Sequence, residues 1–466
     1  MGSDEGPGSV TQAAAAGPIV SQRVVAGGFM PARLARGSAA ALSVFIASAG
    51  LAYCAQLSIA RIVGPDGYGQ YAYVVAWMTI LAYLSALGFD VSLLRFVPAY
   101  RSQGAYGLMR GVIRYAQRMV VIAGVGIALL GVAGLAAWSG RLSPELRLTF
   151  LIGFGAVPIW ALLWIRCSIA RAFGGVVLAL APERIARDAL LLCLLGLAGP
   201  VLGWRVGAPA AMGATLISSA VALGLVSLSV RRLRSPQLAY VAPVQASMTW
   251  LLAAAPLVLI GTVEPLMNRT GVVLLGWAGD IRGAGIYAVA FNVSFLAVLP
   301  RTAVNALFAP AASELFARDD RSGLQALIVR TSAWTLAGTL GIALPLWFLA
   351  EPILAWFGHD FAAGTGALRI LLIGQVIAAG AGSQLYLLTM TGHERVAALL
   401  VVLSAAVNVL VGVALIPSFG LRGAAIATTM AFVAWNIAMG LFIWRRLGLL
   451  PSVFAGGHLR SDARTR

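Results

Sequence analysis

The chain has no lysine, and its 466 residues include only 3 histidines, 3 cysteines and 16 acidic residues. Each scarcity closes a class of function. Cys54, Cys167 and Cys193 stand at no regular spacing, so a disulfide scaffold or thiolate metal site is excluded and apolar packing is the expectation. His359, His393 and His458 are scattered, and neither HExxH nor CxxC accompanies them. No Gly-rich loop continues as GxxxxGK[ST], which removes a Walker-type nucleotide site. Charged residues make up only 11% of the chain, against about 25% in soluble domains, so a soluble enzyme is the wrong class. The missing lysine fits a GC-rich coding bias better than any functional demand.

What the chain has is apolar length. It is 60% hydrophobic with mean hydropathy +0.90. A bilayer core of about 30 Å takes roughly 20 apolar residues per helix, and twelve charge-poor runs of that order succeed one another from residue 37 to 444. The expectation is an all-α membrane protein of about twelve transmembrane helices. Residues 1–36, rich in Gly, Ala and Ser, read as a disordered tail with no cleavable signal. Residues 37–234 and 235–447 read as two six-helix bundles, and 448–466 as a second tail. The net charge of +17 does not indicate nucleic acid, because no folded basic module fits in the short loops. The arginines instead alternate by loop. Twenty-four lie on the side that holds both termini and seven on the other, so the positive-inside rule places both termini in the cytoplasm.

The sequence also repeats. Gly67-Tyr-Gly-Gln-Tyr-Ala72 returns as Gly283-Ala-Gly-Ile-Tyr-Ala288, and Leu146-Arg147-Leu148 returns as Leu368-Arg369-Ile370. Glu183-Arg184, Ala214-Thr215 and Arg231-Arg232-Leu233 return as Glu394-Arg395, Ala427-Thr428 and Arg445-Arg446-Leu447. Five matches in one order at nearly one offset argue for duplication. Six spans per half keep both halves in one orientation, so a parallel repeat about an axis along the membrane normal is expected, with a site between the halves.

Charge inside the spans points to that site. An ionised side chain at mid-bilayer costs about 2.5–3.5 kcal/mol on insertion scales and faces a cavity or a partner. The seventh run carries Pro256, Glu264, Pro265, Asn268 and Arg269, and the eighth is followed by Pro300-Arg301. Prolines remove backbone hydrogen bonds, and a helix broken at membrane depth is tolerated beside a water-filled cavity. Glu264 and Asn268 share a face. Arg269 and Arg301 are read as a column of positive charge for an anionic ligand. The structural alternative is that Glu264 pairs with Arg269 or Arg301 to join two helices. Glu183, Arg184, Arg187 and Asp188 read as a solvated interfacial cluster, and Trp138, Trp204, Trp277 and Tyr287 as an interfacial aromatic belt. Gly64-Pro-Asp-Gly67 and Gly279-Asp-Ile-Arg-Gly283 read as tight turns.

The stretch Ile62-Val-Gly64-Pro65-Asp-Gly67-Tyr-Gly69-Gln-Tyr71-Ala72, followed by Leu87-Gly88-Phe89-Asp90 and Leu94-Arg95-Phe96, carries a resemblance. So do Gly285-Ile-Tyr287-Ala288-Val-Ala290, Pro310-Ala-Ala-Ser313-Glu314-Leu315, and Asn408 through Ile416-Pro417-Ser-Phe-Gly420-Leu-Arg-Gly423 to Thr428-Thr429. From about residue 37 to 446 the chain resembles the bacterial polysaccharide-biosynthesis membrane proteins. These are oligosaccharide-lipid flippases of the multidrug/oligosaccharidyl-lipid/polysaccharide (MOP) exporter superfamily. The resemblance implies two six-helix lobes around a cavity and movement of a polyprenyl-(pyro)phosphate-linked oligosaccharide across the bacterial inner membrane for surface polysaccharide synthesis. It implies no enzyme activity and no fixed set of site residues. The expected partners are that substrate, membrane lipid and H+ or Na+ as coupling ion with Glu264 as the coupling group. No cofactor, metal or nucleic acid is expected, and the oligomeric state is left open, with a monomer compatible. Two competing readings stand beside it: a cation-coupled multidrug exporter, which favours cavity carboxylates, and a membrane-embedded glycosyltransferase or polymerase, which needs a catalytic set on a substantial loop.

Overall fold

The structure, a computed structural model, describes residues 30–137, 140, 142–197, 206–233 and 240–453. The expected tail at 1–36 falls almost wholly outside these residues, as does most of the one at 448–466. The expected boundary between bundles, at residue 234, also falls outside them. Residues 44–466 group as one compact unit.

Every regular element among the described residues is helical. In the first half these are α1 (Met30–Ala86), α2 (Phe89–Ser102), α3 (Tyr106–Ala137), α4 (Pro144–Ala172), α5 (Val176–Leu180), α6 (Arg187–Gly196) and α7 (Ala208–Leu233). The second half holds α8 (Ser247–Trp277), α9 (Ile281–Ser294), α10 (Leu299–Ala317), α11 (Arg321–Phe348), α12 (Ala350–Ala355), α13 (Thr365–Ala381), α14 (Gln384–Met390) and α15 (Glu394–Leu447). Among the described residues, 8 helical segments are long and apolar enough to cross a membrane.

Two of these segments cover four of the runs read from sequence. At about 1.5 Å per residue, the 57 residues of α1 and the 54 of α15 far exceed one bilayer core. Each contains a glycine with non-helical torsions, Gly64 (φ 74°, ψ 176°) in α1 and Gly420 (φ 53°, ψ −127°) in α15. Positive φ costs glycine nothing and other residues a steric clash, so the turn expected at Gly64 forms there, and Gly279 (φ 89°) supplies the one before α9. Asp280 and Asp320 cap α9 and α11 by accepting from the Gly283 and Gly323 amides at 2.7 and 2.8 Å.

In the first half α4 packs against α7, α3 and α2; in the second, α15 packs against α8 and α13. One apolar core joins the halves, running from Ile59, Tyr68 and Met78 of α1 through Ile286 and Tyr287 of α9 to Phe357, Phe361 and Leu371. The start of α8 belongs to the first half by packing: Trp250 and Ala254 are buried with Phe89, Met109 and Ile113, and Trp250 Nε1 donates to Tyr100 Oη at 3.0 Å. Farther along, Val263 and Met267 join a core of second-half residues.

The duplication has a counterpart in hydrogen bonds. Buried Tyr71 Oη lies 3.0 Å from Thr215 Oγ1, and buried Tyr287 Oη lies 2.9 Å from Thr428 Oγ1. All four residues fall in the matched sequence segments. Tyr287 is 1% exposed and is therefore no member of an interfacial belt, whereas Trp277, at 72%, suits one.

The expectation of a broken seventh helix needs correction. α8 runs as one 31-residue helix through Pro265. A proline removes one N–H bond, and the remaining bonds of a long helix carry the element past it. Irregular backbone occurs elsewhere: a π-helical turn at Ala181–Ala186, a 3-10 turn at Phe295–Val298 before Pro300, and a break at Gly382 (φ 75°) between α13 and α14.

Candidate functional site

Those three irregular segments border two cavities. The first cavity takes Gln56, Tyr71, Thr79 and Tyr83 from α1, Trp160 and Trp164 from α4, Thr215 from α7 and Arg269 from α8. Its charged wall comes from the π turn and the start of α6, which supply Glu183, Arg184, Arg187 and Asp188. A π turn carries one more residue than an α turn and recurs at functional sites.

The sequence reading of those four residues as a solvated interfacial cluster is thus overturned. Asp188 is 5% exposed, and Arg187 Nε donates to its Oδ1 at 2.9 Å. The cluster faces Arg269 across a chain separation of about eighty residues, a meeting that only tertiary packing arranges. Three guanidinium groups and two carboxylates line this cavity. One carboxylate is engaged by Arg187, and among the described residues none lies within ion-pair distance of Arg269.

The second cavity is of different character. Asn268, Arg301, Thr302, Asn305, Gln375, Ser383, Gln384 and Asn436 supply its polar lining, and Phe295, Tyr386, Phe432 and Trp435 its aromatic lining. No carboxylate is among its lining residues. The 3-10 turn before Pro300 and the break at Gly382 deliver Arg301, Ser383 and Gln384 to this space. Ser383 Oγ donates to Asn305 Oδ1, tying α10 to the segment that opens α14.

Of the four residues singled out from sequence, Asn268 and Arg301 line this second cavity together, while Arg269 lines the first. Successive residues on a helix point about 100° apart, so neighbouring positions of α8 serve different spaces. A single column of charge through Arg269 and Arg301 is therefore not formed. The Glu264 and Pro256 side chains lie outside the described residues. Sequence reasoning missed Arg184, Arg187, Gln375 and Gln384 as cavity residues. The four-residue spacing of Glu183 with Arg187 and of Arg184 with Asp188 marks a shared helix face, but not what that face meets.

Comparison with known proteins agrees with this architecture. Among solved structures, an inward-facing multidrug resistance MATE family transporter of the MOP superfamily superposes with TM-score 0.73 at 14% identity, covering 85% of this chain and 94% of its own. A Vibrio cholerae MATE transporter gives 0.58 at 18% identity, covering 88% and 98%. The lipid II flippase MurJ, in an inward closed conformation, gives 0.61 at 14% identity, covering 86% and 87%. These likenesses establish the fold. No curated protein matches in sequence. The family described as polysaccharide biosynthesis protein matches residues 34–315, more than half of the chain and including α1, α8 and Arg269. With that match and the multi-pass helical fold, the chain belongs to the polysaccharide biosynthesis protein family.

Proposed function

We propose that this membrane protein is a transporter and not an enzyme, and that it moves a polyprenyl-(pyro)phosphate-linked oligosaccharide across the bacterial inner membrane. The observation that carries the reading is Arg269, which lines a cavity shared with Arg184 and Arg187 and has no carboxylate partner among the described residues. A guanidinium presents a planar fork of donors that matches phosphate oxygens, often bidentately. In a space of low dielectric that attraction is far less screened than in water. The head group would sit on Arg269 while the prenyl chain stays in lipid. Twelve spans with both termini in the cytoplasm belong to this proposal, as does coupling to H+ or Na+ with Glu264 as the exchanging group.

The multidrug-exporter reading asks for free acids facing the cavity. Glu183 and Asp188 do line it, but Asp188 is held by Arg187 and the guanidiniums outnumber the carboxylates. A polymerase or glycosyltransferase reading finds no catalytic cluster on an external loop among the described residues.

The test is surface polysaccharide and inner-leaflet lipid-linked oligosaccharide in cells carrying Arg269→Lys, Arg269→Ala or Arg269→Glu, with membrane abundance measured beside them. The expected order of loss is Lys mildest, Ala intermediate and Glu most severe, at unchanged abundance. Normal export by Arg269→Ala would remove the head-group site.

A further inference from the structure

The second cavity differs from the first in the chemistry of its walls. Its lining is rich in carboxamides, and several have hydrogen-bonding capacity to spare. Gln375 and Gln384 are each only 4% exposed, yet both line the cavity. Gln384 Nε2 reaches the Pro451 carbonyl at 3.4 Å, and its Oε1 has no hydrogen-bond partner. Gln375 makes no side-chain hydrogen bond with another described residue. Asn436 spends one N–H on the Phe432 carbonyl at 2.7 Å, which leaves its oxygen for other use. A buried amide oxygen left unsatisfied costs about 1–3 kcal/mol, and Gln384 Oε1 is such an atom; with the spare capacity of Gln375 and Asn436 beside it, it argues for a ligand that supplies the missing partners.

That ligand must be dense in both donors and acceptors, because each carboxamide offers two N–H groups and one carbonyl. It carries no net positive charge, since the space is lined by one guanidinium, Arg301, and by no carboxylate. It must also present a flat apolar face, because the Trp435 and Tyr386 rings border the same cavity. Trp435 has its indole N–H turned to Met439 Sδ at 2.7 Å. The indole donor is thus satisfied within its own helix, and the ring serves as an apolar surface. A pyranose meets all three demands: hydroxyls that donate to the carboxamides and accept from them and from Arg301, no positive charge, and C–H faces that lie on aromatic rings.

We propose that this cavity is a carbohydrate site, holding sugar residues of the transported molecule while the other cavity holds its phosphate. The assignment rests on the head-group reading above and divides the substrate between two chemically distinct spaces. Asn268 and Arg269, consecutive on α8, line the sugar and phosphate cavities respectively. One turn of one helix therefore borders both parts of a phosphate-linked sugar. A multidrug substrate gives no reason for such a division.

The experiment measures binding of two lipids to the purified full chain in nanodiscs by microscale thermophoresis. One is bare undecaprenyl diphosphate, and the other is the undecaprenyl-diphosphate-linked oligosaccharide extracted from the source cells. The intact protein should bind the glycosylated lipid more tightly. Trp435→Ala and Gln375→Leu should each weaken binding of the glycosylated lipid about ten-fold, the effect of losing one good contact. Both should bind the bare diphosphate as before, which also certifies that they fold. Trp435→Phe, which keeps a ring face, should retain most of the affinity, and Arg269→Ala should weaken both lipids alike. Equal affinity of the intact protein for the two lipids would overturn the carbohydrate site and leave the head-group site standing. So would an undiminished preference in the double variant Gln375→Leu/Trp435→Ala. Failure of the intact protein to bind either lipid would remove both proposals.

Discussion

Gly69 of α1 and Gly285 of α9 stand against each other, equivalent positions of the two sequence repeats in direct backbone contact. A Cβ on Gly285 would lie 2.6 Å from Gly69 Cα, and a Cβ on Gly69 would lie 2.1 Å from the Ile281 carbonyl oxygen. The relationship is reciprocal, since the Gly285 Cβ would also meet the Pro65 carbonyl at 3.0 Å, and Pro65 is the repeat equivalent of Ile281. Contacts in which position i meets j and j meets i are the mark of a two-fold relation. The matched segments of the two halves meet here, and only glycine permits the approach.

That contact predicts a steric penalty that no side-chain rearrangement relieves, because the colliding atoms are backbone. Gly69→Ala and Gly285→Ala should each destabilise the detergent-solubilised protein by about 1–3 kcal/mol, the usual range for overpacking. Gly126→Ala in α3, where a new Cβ meets nothing within 4 Å, is the control and should leave the melting temperature unchanged or raise it slightly, since alanine suits a helix interior better than glycine. Equal melting temperatures for all three variants would show that α1 and α9 are not in tight contact.

The paired tyrosine–threonine bonds predict an asymmetry. Thr215 Oγ1 also donates to the Ala211 carbonyl at 2.9 Å, so in Tyr71→Phe it keeps a partner and the cost should be about 1 kcal/mol. Thr215→Val leaves the buried Tyr71 hydroxyl stranded and should cost more, about 1–3 kcal/mol. The double variant should recover most of that difference, read from a thermal-unfolding double-mutant cycle. Additive costs would mean that the two hydroxyls do not interact.

Arg269 can be separated from a merely structural partner of Glu264. If the two side chains serve only to pair, Arg269→Ala leaves a buried carboxylate uncompensated and lowers membrane abundance, and adding Glu264→Gln restores it. If Arg269 binds phosphate, the single variant stays abundant and the second change restores no export. Immunoblot abundance beside polysaccharide output in the single and double variants distinguishes the two.

Topology gives a further prediction. Tags at either end of the chain should be protected from external protease in intact cells and cleaved after permeabilisation. Cleavage of a C-terminal tag in intact cells would leave an odd number of crossings and contradict the proposed arrangement of the halves.

The membrane class, the all-helical fold and the duplication were legible in the chain because each leaves a local or in-register trace. Hydropathy is written residue by residue, Gly64 and Gly279 announce their turns through the positive φ they adopt, and a duplicated segment keeps Tyr71 and Tyr287 in matching contexts. The facing of side chains was not. The sequence marked Arg269 and Arg301 as out of place in apolar runs, since the cost of an intramembrane charge depends on residue type. It did not separate the two cavities, because the direction of each guanidinium depends on the azimuth of its helix and on what packs against it. The same holds for Glu183, Arg184, Arg187 and Asp188, which read as solvated from spacing alone and became a cavity wall only when the π turn brought them opposite α8. Composition and hydropathy therefore decided the solvent in which this protein folds and its all-helical class. Tertiary packing decided which charges meet, because groups distant in the chain come together only through the summed contacts of the helices that carry them.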